Sequence, residues 1–88
     1  MNFTWDDEKE RRNLEKHKMD FSLAEAIISC DDVIIKLDDR RDYGEDRYLA
    51  YSEVDGAMLC LCFMIRDGSY RVISLRRANK KEWRKACQ

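Results

Sequence analysis

The sequence predicts an α+β domain: two N-terminal helices, an antiparallel sheet of about four strands, and a C-terminal helix. Three observations predict it. Helical apolar spacing is confined to residues 6–30 and to the last ten positions, two-residue alternation fills the stretch between them, and Asp55-Gly56 and Asp67-Gly68 punctuate that alternation as tight turns. Eighty-eight residues without a proline form one domain, residues 1–88. A chain this short buries only somewhat more than about 60% of its unfolded surface, which leaves no room for a second domain or an enclosed cofactor cavity.

Phe3 and Trp5 alternate with Asn2 and Thr4, which predicts a short first strand. Asp6 then caps a helix running to about residue 16, with Leu14 and His17 facing inward and Glu8, Glu10, Glu15, Lys9, Arg11 and Arg12 in solvent. The second helix opens on a capping box, Ser22 with Glu25, stapled by Phe21 against Ala26. Leu23, Ala24, Ile27 and Ile28 supply its buried side, and it ends near Cys30-Asp31-Asp32. Residues 33–37 are a strand, residues 38–45 a charged and solvated loop, and residues 47–54 the next strand. Asp55-Gly56 is a hairpin signal. Residues 57–65 are apolar on both faces and form the central strand, covered on both sides. The last strand, residues 70–76, sets Val72 and Ser74 on one face against Arg71, Ile73 and Leu75 on the other. Asn79 caps a final helix, with Glu82 completing a variant capping box. The helices are expected to pack mainly against one face of the sheet.

The formal net charge of −1 hides a dipole. Residues 20–55 carry eleven acids against four bases, whereas residues 66–88 carry eight Lys or Arg against two acids. A chain that is neutral overall but basic at one end concentrates a polyanion there. The junction of strand and basic helix at residues 71–82 therefore organises the functional reading, since it offers guanidinium groups on a rigid strand beside a helix N-terminus. Lys80, Lys81, Arg84 and Lys85 also fit the solvated face of a terminal helix. Arg71, Arg76 and Arg77, flanking apolar strand residues, fit that description less well.

No apolar run approaches the roughly 20 residues of a membrane span, and residues 1–8 lack the features of a secretory signal, so a cytoplasmic protein with no membrane partner is expected. Cys30, Cys60, Cys62 and Cys87 lack the spacing of a zinc site or a disulfide framework and read as reduced, mostly buried thiols. There is no P-loop, catalytic triad or metal-binding carboxylate cluster, so no metal and no cofactor are expected. Asp31-Asp32 and Asp38-Asp39 read as solvated turns.

Two constellations carry chemistry. His17, the single histidine, ends the first helix, where the helix dipole favours its charged form. Beside Arg71 or Arg76 it becomes a base next to guanidinium groups, which is what metal-free RNA cleavage requires: the 2′-hydroxyl loses a proton, the phosphorane needs cations, and the 5′-oxygen takes a proton. Glu45 and Arg47, two apart at a strand entrance, are either a surface ion pair or an orienting carboxylate beside a phosphate-binding arginine.

Phe3-Thr4-Trp5-Asp6 with Lys9, Asn13, Lys16-His17 and Phe21, then Tyr43-Gly44-Glu45 with Arg47, then residues 71–78 with Glu82, resemble the BrnT family of type II toxins from about Phe3 to Trp83. The resemblance implies a RelE-like fold and an endoribonuclease that inhibits translation by cutting RNA. It further implies neutralisation by a BrnA-type ribbon-helix-helix antitoxin, through which alone operator DNA is bound. The catalytic candidates are His17, Glu45, Arg47, Arg71 and Arg76, and the RNA-binding candidates Arg77, Lys80, Lys81, Trp5, Lys9 and Asn13. Two positions depart from the family pattern. Lys18 stands where glycine is usual, which predicts a changed turn after the first helix. Leu75 stands where alanine is usual, and its bulk is expected to shift Arg76. A rival reading follows from these departures: a catalytically degenerate relative acting as a protein- or RNA-binding module.

Overall fold

The computed structural model describes residues 2–88. It contains β1 (Phe3–Thr4), α1 (Asp7–His17), α2 (Leu23–Ile28), β2 (Ile34–Leu37), β3 (Tyr48–Val54), β4 (Ala57–Arg66), β5 (Ser69–Arg77) and α3 (Lys80–Ala86). The strands form one five-stranded sheet in the order β1-β5-β4-β3-β2. The expected four-stranded antiparallel meander is present, and β1 extends it by pairing in parallel with β5. The sheet is therefore mixed.

The central strand β4 is buried on both faces, as its unbroken apolar run requires. Leu59, Leu61 and Phe63 point into a core shared with Phe21, Ala24 and Ile27, whereas Cys60 and Cys62 point into a second core with Leu49, Tyr51, Ala78 and Ala86. The expectation that the helices pack mainly against one face is corrected for α3, which covers the opposite face. The first core lies under α2 and the second under α3, because β4 has no polar side to leave in water.

A bulge in β5 decides which side chains meet. Cys62 pairs with Ser74 but Phe63 pairs with Val72, so Ile73 is an extra residue in the ladder. One inserted residue inverts the alternation beyond it. Leu75 consequently joins Val72 in the first core and is fully buried there. Its bulk lies on the face opposite Arg76, which corrects the expected displacement of that arginine.

In α1, Asp6 caps as expected, its carboxylate accepting the N–H groups of Glu8 and Lys9. The inward residue is not Leu14, which is 47% exposed, but Asn13. The side chain of Asn13 accepts the N–H of Leu75 (2.9 Å) and donates to the carbonyls of Leu75 (2.9 Å) and Met19 (3.1 Å). It thereby satisfies the edge of β5 beyond the reach of the two-residue strand β1, as a peptide group of another strand would. The capping box expected at α2 is also corrected. Ser22 makes no side-chain cap, Asp20 accepts the Ser22 N–H instead, and Phe21 is buried beneath Trp5 rather than stapled to the exposed Ala26.

After α1 the chain keeps the left-handed turn that glycine would make easily. Lys18 has φ 60 and ψ 32, and its N–H bonds the Leu14 carbonyl. A side chain in that conformation costs roughly 1 kcal/mol. Lys18→Gly is expected to raise stability by about 0.5–1 kcal/mol in urea unfolding, while Lys18→Val, β-branched, lowers it.

Candidate active site

Strand alternation and the β5 bulge bring three candidate arginines to the sheet face that carries α3. Arg76 pairs across the sheet with Cys60 and Arg71 with Met64, both on that face. Arg47 immediately precedes β3, in phase with Leu49 and Tyr51. The pKa of the Cys62 thiol on the same face is raised by burial and then by the Asp38 charge, against the opposing charges of Arg47, Arg40 and Arg76. Without the bulge, Arg71 and Arg76 would point to opposite sides.

Arg76 is the most constrained of the three. Its Nη1 and Nη2 donate to Oε1 and Oε2 of Glu82, both at 2.7 Å, and Nη1 also donates to the Arg77 carbonyl at 3.3 Å. Tyr51 donates its hydroxyl to the same carboxylate at 3.0 Å. Asn79 caps α3 by accepting the Glu82 N–H, but the Glu82 side chain turns to Arg76 and does not return to Asn79, so the expected capping box is half formed. Pairing with Arg76 holds the Glu82 carboxyl below its ordinary range, and the pair stays ionised.

Arg47 is placed by a different device. Asp38, expected in a solvated turn, has a side chain with no exposed surface. Its carboxylate accepts Nε (2.7 Å) and Nη2 (2.8 Å) of Arg40 and the Tyr43 hydroxyl (3.0 Å). These bonds, the Arg40 guanidinium first, pull its pKa down to about 2. The Tyr43 ring, fixed in this way, carries the Arg47 guanidinium 4.2 Å from its centroid. Glu45 touches Arg47 at 3.4 Å, the longest ion pair among the described residues, where Arg47 Nε is buried without a partner. Arg71 is half-buried and makes no side-chain hydrogen bond among the described residues.

His17 ends α1, the helix that packs along β5. It is half-buried at the end of α1, and its pKa is lowered by burial first, then by the charges of Lys16 and Arg76. Burial and these charges favour the neutral imidazole, against the helix dipole, which favours the charged form.

The other candidates, Lys81 excepted, lie elsewhere. Asn13 is buried with its amide committed to β5, and Trp5 packs edge-on against Phe21. Lys9 is exposed in the first turn of α1, about 12 Å along the axis from His17. Arg77 pairs with Leu59 and so faces the opposite side of the sheet. Lys80 is exposed, and Lys81 lines a groove of about 550 Å³ between α3 and the strands β2 and β3, together with Lys36, Arg40, Arg76 and Lys85. No group of three or more His, Cys, Asp or Glu side chains among the described residues is placed to hold a metal ion.

Sequence reasoning missed Asp38, Arg40, Tyr51 and Glu82 as parts of this site. Asp38 and Arg40 carried a usable signal, since residues two apart at a strand exit share a face. The contact of Tyr51 with Glu82, thirty-one positions away, carried none.

The face thus carries three arginines, two of them held in place by Glu82 and by the Tyr43 ring, an arrangement suited to a phosphodiester. A search of the curated proteins finds no match. Residues 5–82 match the family described as ribonuclease toxin, BrnT, of type II toxin-antitoxin system, and the match spans every element that builds this face except the end of α3. The chain belongs to the BrnT family of ribonuclease toxins, which act with an antitoxin partner.

Proposed function

We propose that this chain is a metal-independent endoribonuclease that cuts RNA on the α3 face of its sheet and thereby inhibits translation. The observation that carries the reading is the placement of Arg47, Arg71 and Arg76 on one face of the sheet, with the pKa of His17 lowered in part by the charge of Arg76. The arginines hold the scissile phosphate and stabilise the charge that grows on its oxygens. His17 takes the proton of the attacking 2′-hydroxyl, and Glu45 is the alternative acceptor. Lys80 and Lys81, on the first turn of α3, extend the attraction to flanking phosphates, whereas Arg77 on the opposite side of the sheet does not. The α+β architecture supports a RelE-like assignment. A BrnA-type ribbon-helix-helix antitoxin silences the enzyme and carries the complex to operator DNA. The site of action is the cytoplasm.

The test is to express the chain alone from a tightly controlled promoter, follow growth, map new RNA 5′-hydroxyl ends, and repeat cleavage with purified protein in a chelator. Arrest with new ends, and cleavage undiminished by the chelator, is the expected result. A folded, soluble protein that makes no ends leaves the degenerate binding module as the better account.

A neutral His17 also fixes a pH dependence. Its pKa is lowered from 6.5, so the proton-accepting form persists below that value and is lost only as pH falls through the lower, folded-state pKa. The rate is therefore expected to rise with pH and level off with an apparent pKa below 6.5. His17→Ala should lose about 10²-fold in kcat and flatten that limb. A rising limb that survives the substitution assigns the proton to another group.

A further inference from the structure

Arginine has five N–H donors, and in Arg76 three are already used. Nη1 and one hydrogen of Nη2 form an end-on fork with Glu82, and the second Nη1 hydrogen points to the Arg77 carbonyl. The two that remain, on Nε and on Nη2, lie parallel along the other edge of the guanidinium. That edge is the side-on fork with which Arg40 holds Asp38, and it matches two oxygens of a phosphate equally well. Glu82 is itself fixed from three directions. Its backbone N–H sits in the Asn79 cap, its carboxylate accepts the Tyr51 hydroxyl, and its side chain is 19% exposed against 25% for Arg76. The Tyr51 ring is held in turn, edge-on against Trp83.

The geometry points to Glu82, supported by Tyr51, as the positioning residue of the ribonuclease site: it immobilises Arg76 end-on so that the Nε–Nη2 edge is presented to the scissile phosphate. Neither residue touches the substrate in this role. The carboxylate cancels part of the guanidinium's long-range pull on RNA and gives direction in exchange, since the phosphorane, unlike a diffusely bound strand, needs its donors at fixed points. The alternative is that Glu82 competes with phosphate and restrains the enzyme. The two roles predict opposite signs for the same substitution.

This inference rests on the ribonuclease reading, so the test has one readout that needs no cleavage. In ¹⁵N NMR of the whole chain, the end-on fork slows rotation about the Arg76 Nε–Cζ bond and gives separate Nη1 and Nη2 signals. Glu82→Gln, which keeps size but not the charged fork, is expected to merge them. With a short oligoribonucleotide, the same variant is expected to lose about 10–100-fold in kcat while KM stays level or falls, because one negative charge has left the site. Tyr51→Phe, which keeps the ring and removes one anchor, should lose a smaller factor of about 3–10. A kcat in Glu82→Gln equal to or above that of the original chain overturns the positioning role, and an increase assigns Glu82 to restraint. Merged Nη signals in the unsubstituted chain also overturn it. An unsubstituted chain that cuts nothing, with Nη signals resolved, defeats the ribonuclease reading and with it the catalytic purpose of the contact, a result distinct from either of the others.

Discussion

Replacing Arg76 with Ala is expected to lower the rate of RNA cleavage on the order of 10³-fold, a loss typical of removing an oriented cationic donor from a developing oxyanion. Growth arrest and new 5′-hydroxyl ends should disappear together. The substitution also has a structural effect that must be separated from the catalytic one. Glu82 loses its partner while remaining largely buried, and an unpaired carboxylate there costs about 1–2 kcal/mol after allowance for its residual exposure. Arg76→Ala combined with Glu82→Ala removes both charges, and it is expected to recover most of that stability and none of the activity. Recovery of cleavage in the double variant would show that the single one failed through misfolding. Arg76→Lys provides a finer test. It keeps a charge beside Glu82 but not two parallel donors, and a loss of about 10²-fold is expected, because lysine binds phosphate as a point charge.

The second large effect is expected at Asp38, whose side chain bonds no candidate catalytic group, although its backbone N–H donates to the Arg47 carbonyl. Asp38→Ala removes the acceptor of Arg40 and Tyr43, and with it the ring on which Arg47 rests. A stability loss of about 2 kcal/mol and a fall in cleavage of about tenfold are expected, the latter because Arg47 loses its fixed orientation. Acid gives an independent check. The Asp38 carboxyl is lowered from 3.8 to about 2, so its contribution is fully present above pH 3.8 and is lost as pH falls through about 2. The shift corresponds to about 2 kcal/mol, and the pH dependence of unfolding in that window should flatten in Asp38→Ala. Asp39→Ala, at the exposed neighbouring position, is the control and should change stability by less than about 0.5 kcal/mol. Equal losses at the two positions would remove Asp38 from the account of Arg47.

Local features account for what was legible in the chain. The Asp6 and Asn79 caps, the turns at residues 55–56 and 67–68, and the doubly buried β4 follow from residues a few positions apart. Family membership was legible for a related reason, since the residues at 71–78 and 43–47 stand in a fixed order along the chain.

What the sequence by itself determined is therefore the set of elements, their order and the basic strand-to-helix junction, because each depends on periodicity or on turn chemistry within a few residues. Tertiary structure alone decided which face each side chain serves. Ile73 is a bulge only because β4 pairs with Ser74 on one side of it and Val72 on the other, and that single step sends Leu75 to one core and Arg76 to the other face with Arg71. Asn13 is buried because β1 is too short to cover the β5 edge, and Glu82 serves Arg76 because α3 folds back over Tyr51. These outcomes depend on pairings between residues as much as sixty-two positions apart, and no local pattern of spacing contains them.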